Sequence, residues 1–131
     1  VAATADKRGA LRGYLLAQAV TTKNEHFSSE DIFDAFSEDY DDFADFDEDF
    51  VLSLTWLGNQ GLISFDALPL GANGESTVIG LTATAVGKRA VGAAENLKLQ
   101  VPSGPPKRKG FAVEVAKVFG AFVGEFVNTQ K

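Results

Sequence analysis

Residues 47–63 read DEDFVLSLTWLGNQGLI, and their reading decides the fold. Phe50, Val51, Leu54, Trp56 and Leu57 recur at the three-to-four spacing of a helix. Asp47 is placed to cap that helix, and Gly58 or Gly61 to stop it. After the second glycine the pattern changes. Leu62 to Leu68, carrying Ile63 and Phe65, predicts a strand. Pro69 to Glu75 holds Gly71 and the dipeptide Asn73-Gly74, the strongest short hairpin signal. Ser76 to Leu81, with Val78 and Ile79, predicts the returning strand.

Upstream, residues 5–20 predict a helix, because Leu11, Leu15, Leu16 and Ala19 share a face flanked by Tyr14. Thr21 to Phe27 is polar and reads as a loop. Ser28-Ser29-Glu30-Asp31 resembles a capping box, and opens a second helix with Ile32, Phe33 and Phe36 on its apolar side. Acids in its first turn suit the positive end of the helix dipole. The aromatics Phe33, Phe36, Tyr40, Phe43, Phe46 and Phe50 continue at helical intervals. Asp39, Asp41, Asp42 and Asp45 are poor helix formers, so a turn is expected over 39–46.

Downstream, Thr82 to Gln100 predicts a helix through Val86, Ala90, Ala94 and Leu97, weakened by Gly87 and Gly92. Pro102-Ser103-Gly104-Pro105-Pro106 breaks the chain. Phe111 to Val127 predicts a last, strongly apolar helix. The expected organisation is a domain over 1–101, a Pro/Gly/basic linker over 102–110 and a C-terminal helical element over 111–131.

The chain has 131 residues, 45% apolar and 23% charged, which suits one globular domain. No run approaches the ~20 apolar residues of a membrane span. There is no cysteine, so disulfides, thiol nucleophiles and zinc knuckles are excluded. The single histidine, His26, leaves no material for a His-based metal site or a Ser-His-Asp triad, and reads as a loop residue. The N-terminus, Val-Ala-Ala-Thr-Ala-Asp, lacks the apolar core of a signal peptide, and a cytoplasmic setting is expected. No nucleotide-binding glycine pattern occurs, and no carboxylate pair is singled out as acid and base. A non-enzymatic protein without cofactors is expected.

The net charge of -6 conceals an uneven distribution. Eleven of the eighteen acids lie between Glu30 and Asp49, uninterrupted by Lys or Arg. The remainder carries twelve bases and seven acids, so an acidic block sits on a mildly basic body. Such asymmetry bears on partners and solubility rather than on fold.

The order helix, helix, helix, two-stranded hairpin, helix resembles the winged helix-turn-helix superfamily over roughly residues 5–98. The resemblance rests on Leu54-x-x-Leu57-Gly58-x-x-Gly61-Leu62-Ile63, similar to the junction of third helix and wing. It rests also on Leu81-Thr82 running on to Gly87-Lys88-Arg89, similar to the start of the following helix. It implies an α+β fold: a winged-helix-like three-helix core, a two-stranded hairpin wing and additional C-terminal helices. It also implies DNA binding through the third helix in the major groove. That helix carries no Lys or Arg and opens on Asp47-Glu48-Asp49. Ser53, Thr55, Asn59 and Gln60 are able to hydrogen-bond bases, but nothing there supplies the phosphate attraction that dominates affinity.

Two readings of function follow. In the first, Glu38, Asp39, Asp41, Asp42, Asp45, Asp47, Glu48 and Asp49 form an acidic surface. That surface binds a basic protein partner or imitates DNA phosphates. The bland counterpart is a solvated face that caps helices. In the alternative, double-stranded DNA is bound through Arg8, Arg12, Lys88, Arg89, Lys107, Arg108 and Lys109 with the wing, in a transcriptional regulator. The triplet Asp45-x-Asp47-x-Asp49 resembles the opening of a calcium loop, but Phe50 stands where glycine belongs and Trp56 where Glu belongs. The last helix is apolar almost all round apart from Glu114, Lys117 and Glu125, so something must cover it. A homodimer through Phe111, Val115, Val118, Phe119, Phe122 and Phe126 is expected, with packing in cis as the other solution. Gly120-x-x-x-Gly124 permits close helix approach.

Overall fold

The computed structural model describes residues 2–21, 25–102 and 113–130. The chain is α+β and mostly helical. In order it forms α1 (Ala2–Thr21), β1 (Glu25–Ser28), α2 (Ser29–Phe36), a 3₁₀ turn (Ser37–Asp39) and α3 (Phe43–Asn59). It continues with β2 (Ile63–Ser64), β3 (Thr77–Ala83), α4 (Ala85–Asn96) and α5 (Val113–Gln130). The strands form one antiparallel sheet in the order β1-β3-β2.

The sheet corrects the expected two-stranded hairpin, because residues 25–28 are a strand and not a loop. Four residues are too few to display a period, and β1 exists by pairing with β3, Phe27 opposite Val78 and Ser28 opposite Thr77. Phe27 packs edge-on against Phe50, ring centroids 6.0 Å apart. The chain passes directly from β1 into α2 through the anticipated capping box. The Asp31 N–H donates to Ser28 Oγ (3.3 Å), and the Ser28 N–H donates to Asp31 Oδ2 (2.9 Å).

α3 starts five residues earlier than the propensities indicate. Its cap is Asp42, whose carboxylate accepts from the Asp45 N–H (2.9 Å), and not Asp47. Packing overrides the weak helix formers. Phe46 is fully buried among Phe33 (5.2 Å), Phe36 (5.9 Å) and Tyr40 (5.1 Å), and Phe33 also meets Phe43 edge-on at 5.4 Å. Each such pair contributes about 0.5–1.5 kcal/mol beyond its burial, more than enough to carry a few aspartates.

The far end of α3 behaves as its glycines indicate. Gly61 takes a left-handed φ of 75°. The Leu62 N–H reaches back to Leu57 O (3.0 Å) and the Gly61 N–H to Gly58 O (3.0 Å), which is a Schellman cap. Leu62 is thereby buried, and the chain is aimed into β2.

β2 is shorter than the expected strand, but bridges Ala67–Ile79 and Leu70–Ser76 prolong the hairpin in one register. Its tip is not the two-residue turn that Asn73-Gly74 suggests. The Gly74 N–H donates to Gly71 O (3.1 Å) and Gly74 alone is left-handed (φ 86°), giving a three-residue loop with a glycine bulge.

α4 is capped by Thr84, whose Oγ1 accepts from the Gly87 N–H (3.1 Å) and donates to Gly61 O (2.5 Å). Gly87 is required there because a Cβ would overlap the Leu62 carbonyl. The helix ends at Asn96, short of the expected Gln100. Lys98 adopts a left-handed φ of 64° and the Leu99 N–H returns to Ala94 O (3.0 Å).

α5 lies along α1 and joins the same core through Ala116, Phe119, Val123 and Val127. The described part of residues 111–131 is thus integrated with the domain and not set apart from it. A Cβ on Gly13 would lie 2.7 Å from Ala116 O, and one on Gly120 would overlap the Gly9 backbone. Gly120 therefore serves close approach within the chain, while nothing lies within 4 Å of a Cβ on Gly124. Gly120→Ala should cost about 1–3 kcal/mol in urea unfolding, because it wedges α5 off α1. Gly124→Ala should be neutral or stabilising by up to about 1 kcal/mol. Equal losses at the two sites would contradict the packing.

Candidate interaction surface

The acidic block divides into carboxylates used by the fold and carboxylates left in water. Asp49 is the most buried, 4% exposed. Its Oδ1 accepts from Arg8 Nε (2.8 Å) and its Oδ2 from the Tyr40 hydroxyl (2.7 Å). Lys7 on the same helix lies 4.4 Å over the Tyr40 ring and donates to Asp39 O (3.2 Å). Arg12, one turn on from Arg8, stacks at 4.2 Å over Trp56. Burial holds the Arg12 guanidinium below its usual pKa and the nearby Arg8 charge adds to this, while Asp49 opposes both. Burial also pushes the Tyr40 phenol upward, followed by its bond to Asp49, so Tyr40 remains a neutral donor.

Asp47 is the second structural acid. Its Oδ1 accepts from the Ser29 hydroxyl (2.6 Å) and the Ser76 N–H (2.8 Å), and its Oδ2 from the Ser76 hydroxyl (3.0 Å). It clasps the start of α2, the middle of the acidic block and the return of the hairpin. Asp42 caps α3, and Asp39 is half-buried with its carboxylate 3.6 Å from Lys117 on α5. The proposed eight-residue acidic surface is corrected accordingly: Asp49 lies inside the protein, and Asp47 faces serines. Both are also spent for any calcium loop of 45, 47 and 49. Among the described residues no group of three or more His, Cys, Asp or Glu is placed to hold a metal ion.

Glu38, Asp41, Asp45 and Glu48 are exposed, and Glu30 and Asp34 join them from α2. Along α3 the outward stripe is Asp45, Glu48, Leu52, Thr55 and Asn59, at alternating steps of three and four. It is acidic at its start, apolar at Leu52 (42% exposed) and neutral at its end. Ser53, expected to face a ligand, is buried. Its Oγ and Arg12 Nε are buried without a hydrogen-bond partner among the described residues. The hairpin adds no base. From Asn24 to Gly87 the sequence contains fourteen acids and neither Lys nor Arg.

The basic candidates are similarly divided. Arg8 is tied to Asp49 and Arg12 to Trp56, both in the seam between α1 and α3. Lys88 and Arg89 are exposed on α4. Lys107, Arg108 and Lys109 lie outside the described residues.

Of the expected dimer contacts, Phe119 is fully buried in cis, which removes it from an intermolecular surface. Phe111 lies outside the described residues. Val118 is exposed, and Val115, Phe122 and Phe126 are half-buried. Phe122 and Phe126 line a groove of ≈ 450 Å³ with Ala93, Asn96, Leu97 and Thr129, at the seam of α4 and α5. Among the described residues no helix is long and apolar enough to cross a membrane.

Tyr40, Trp56, Ser29 and Ser76 are the partners that sequence reasoning missed. Nothing local marks them, because each meets its partner across elements. The one usable signal is that Asp49 shares the helical face of Phe46 and Phe50, which points inward. No protein-family model, curated protein or solved structure matches the chain.

The two kinds of acid should respond differently to substitution. Asp49→Ala leaves Arg8 and the Tyr40 hydroxyl without their acceptor and should cost about 3 kcal/mol by chemical denaturation. Glu48→Ala, one residue away and exposed, should stay within about 0.5 kcal/mol of the parent. A tolerated Asp49→Ala would show that the buried carboxylate does not hold α1 to α3.

Proposed function

We propose that the chain is a non-enzymatic regulatory or interaction module of winged-helix-like architecture. Its acidic face binds a basic protein surface and stands where such a domain would otherwise meet DNA. Three helices, a hairpin returning antiparallel and a fourth helix capped by Thr84 support the architectural part.

The observation that carries the functional part is the exposed face of α2, α3 and the hairpin. It presents Glu30, Asp34, Glu38, Asp41, Asp45 and Glu48, with no Lys or Arg anywhere between residues 24 and 87. Exposed carboxylates with no base among them repel a phosphate backbone and attract cations, an effect that cell salt screens over about 8 Å. The buried acids fix its shape at their own expense: Asp49 and Asp47 are neutralised or hydrogen-bonded, leaving the outer carboxylates free.

The alternative, a DNA-binding regulator, is favoured by exposed Lys88 and Arg89 on α4. Two charges supply little of the counterion release that holds such complexes. A homodimer remains part of the proposal, now through the outer flank of α5 with Val118, Phe122 and Phe126, since Phe119 serves the core.

The acidic reading is tested with Asp41→Asn, Asp45→Asn and Glu48→Gln combined, which spares Asp42, Asp47 and Asp49. The variant should fold as the parent does by circular dichroism. Basic proteins retained by the immobilised parent should be displaced by duplex DNA if the face imitates phosphates. Their retention should fall at least about tenfold in the variant, roughly 1.4 kcal/mol over three charges. Undiminished retention by a folded variant would remove these acids from the interface.

A further inference from the structure

His26 is the chain's only histidine, and it lies within β1. Its Nδ1 accepts a hydrogen bond from the Gly80 backbone N–H (2.9 Å). Gly80 is the irregular point of β3. It has a left-handed φ of 73°, and the β1–β3 register shifts between Glu25 and Phe27, opposite it. A bulge leaves a residue outside the regular ladder, and here a side chain supplies the missing acceptor.

The other flank of β3 brings a carboxylate to the same glycine. The Asp66 N–H donates to Ile79 O (2.7 Å), and a Cβ on Gly80 would overlap the Asp66 carboxylate, with Cγ 2.8 Å away. The imidazole and the carboxylate therefore meet Gly80 from opposite sides of the central strand. Both residues are exposed.

We propose that His26 and Gly80 form a proton-operated latch on the sheet. The neutral ring holds the bulge of β3 to β1. A ring that takes up a proton at Nδ1 lets Gly80 go.

The chemistry is specific to this bond. An acceptor nitrogen that gains a proton becomes a donor facing a donor, and the contact turns repulsive. Imidazole is the side chain that makes this change between about pH 5 and 8. Asp66 is the charged group the hairpin places at Gly80. β3 itself, Thr77–Ala83, contains no titratable side chain, and the titratable neighbour along β1 is Glu25. Because β1 runs directly into Ser28, the cap of α2, release of its centre reaches the helix that bears Glu30 and Asp34. The latch stands apart from the acidic-surface reading and survives its failure.

Amide spectra of the full chain from pH 8 to 5.5 test it. In the parent, the Gly80 amide should shift together with the His26 ring protons. Its hydrogen exchange should accelerate about fivefold beyond the intrinsic pH trend, the loss of one ordinary hydrogen bond. His26→Asn keeps an acceptor near the Nδ1 position and has no proton to take up, so its Gly80 amide should stay fixed and protected. A parent Gly80 amide that ignores the ring, or one that moves equally in His26→Asn, overturns the latch.

Discussion

The carboxylate of Asp49, held between Arg8 and Tyr40, is the contact on which the arrangement of helices depends. It joins α1 to α3 and fixes the turn between α2 and α3 through the Tyr40 hydroxyl. An unpaired carboxylate at 4% exposure would be costly, so the surrounding donors are obligatory. α1 can meet them only because its other side lies flat on α5, where Gly13 and Gly120 bring the two backbones together. The same helix thus spends its small residues on one neighbour and its arginines on another.

This division explains an acidic run that otherwise looks excessive. Asp42 starts a helix, Asp47 clasps three segments, Asp49 anchors α1, and Asp39 pairs with Lys117. The aromatics interleaved with them form the Phe33–Phe36–Tyr40–Phe46 cluster, so they are core and not contacts for a partner. What remains outside is a stripe of carboxylates leading to Leu52, Thr55 and Asn59 on α3. The fold uses half of the block to build a rigid support for the other half.

The legible features of the sequence were those governed by local rules. The Ser28 capping box, the glycine stop at Gly61 and the hairpin depend on neighbours in the chain, and each forms. The features that escaped depend on distant partners. β1 is a strand because β3 lies beside it. α3 begins at Phe43 because Phe33 and Phe36 wait for Phe43 and Phe46. The apolar face of α5 is covered by α1, a contact more than a hundred residues away for Gly9 and Gly120. Among the candidate site residues, composition identified the acidic block, but only tertiary contacts separate Asp47 and Asp49 from Asp45 and Glu48. The value of Arg8 and Arg12 as free cations was overestimated for the same reason.

The central claim is that the face built from α2, α3 and the hairpin is closed to nucleic acid by its charge and open to cations. Titration of the protein into a labelled mixed-sequence duplex at low salt tests it most directly, because low salt magnifies any attraction to phosphates. The account predicts no binding at micromolar protein even there. Tight binding that falls steeply as salt rises would contradict it, with the slope counting the phosphates that the basic residues neutralise.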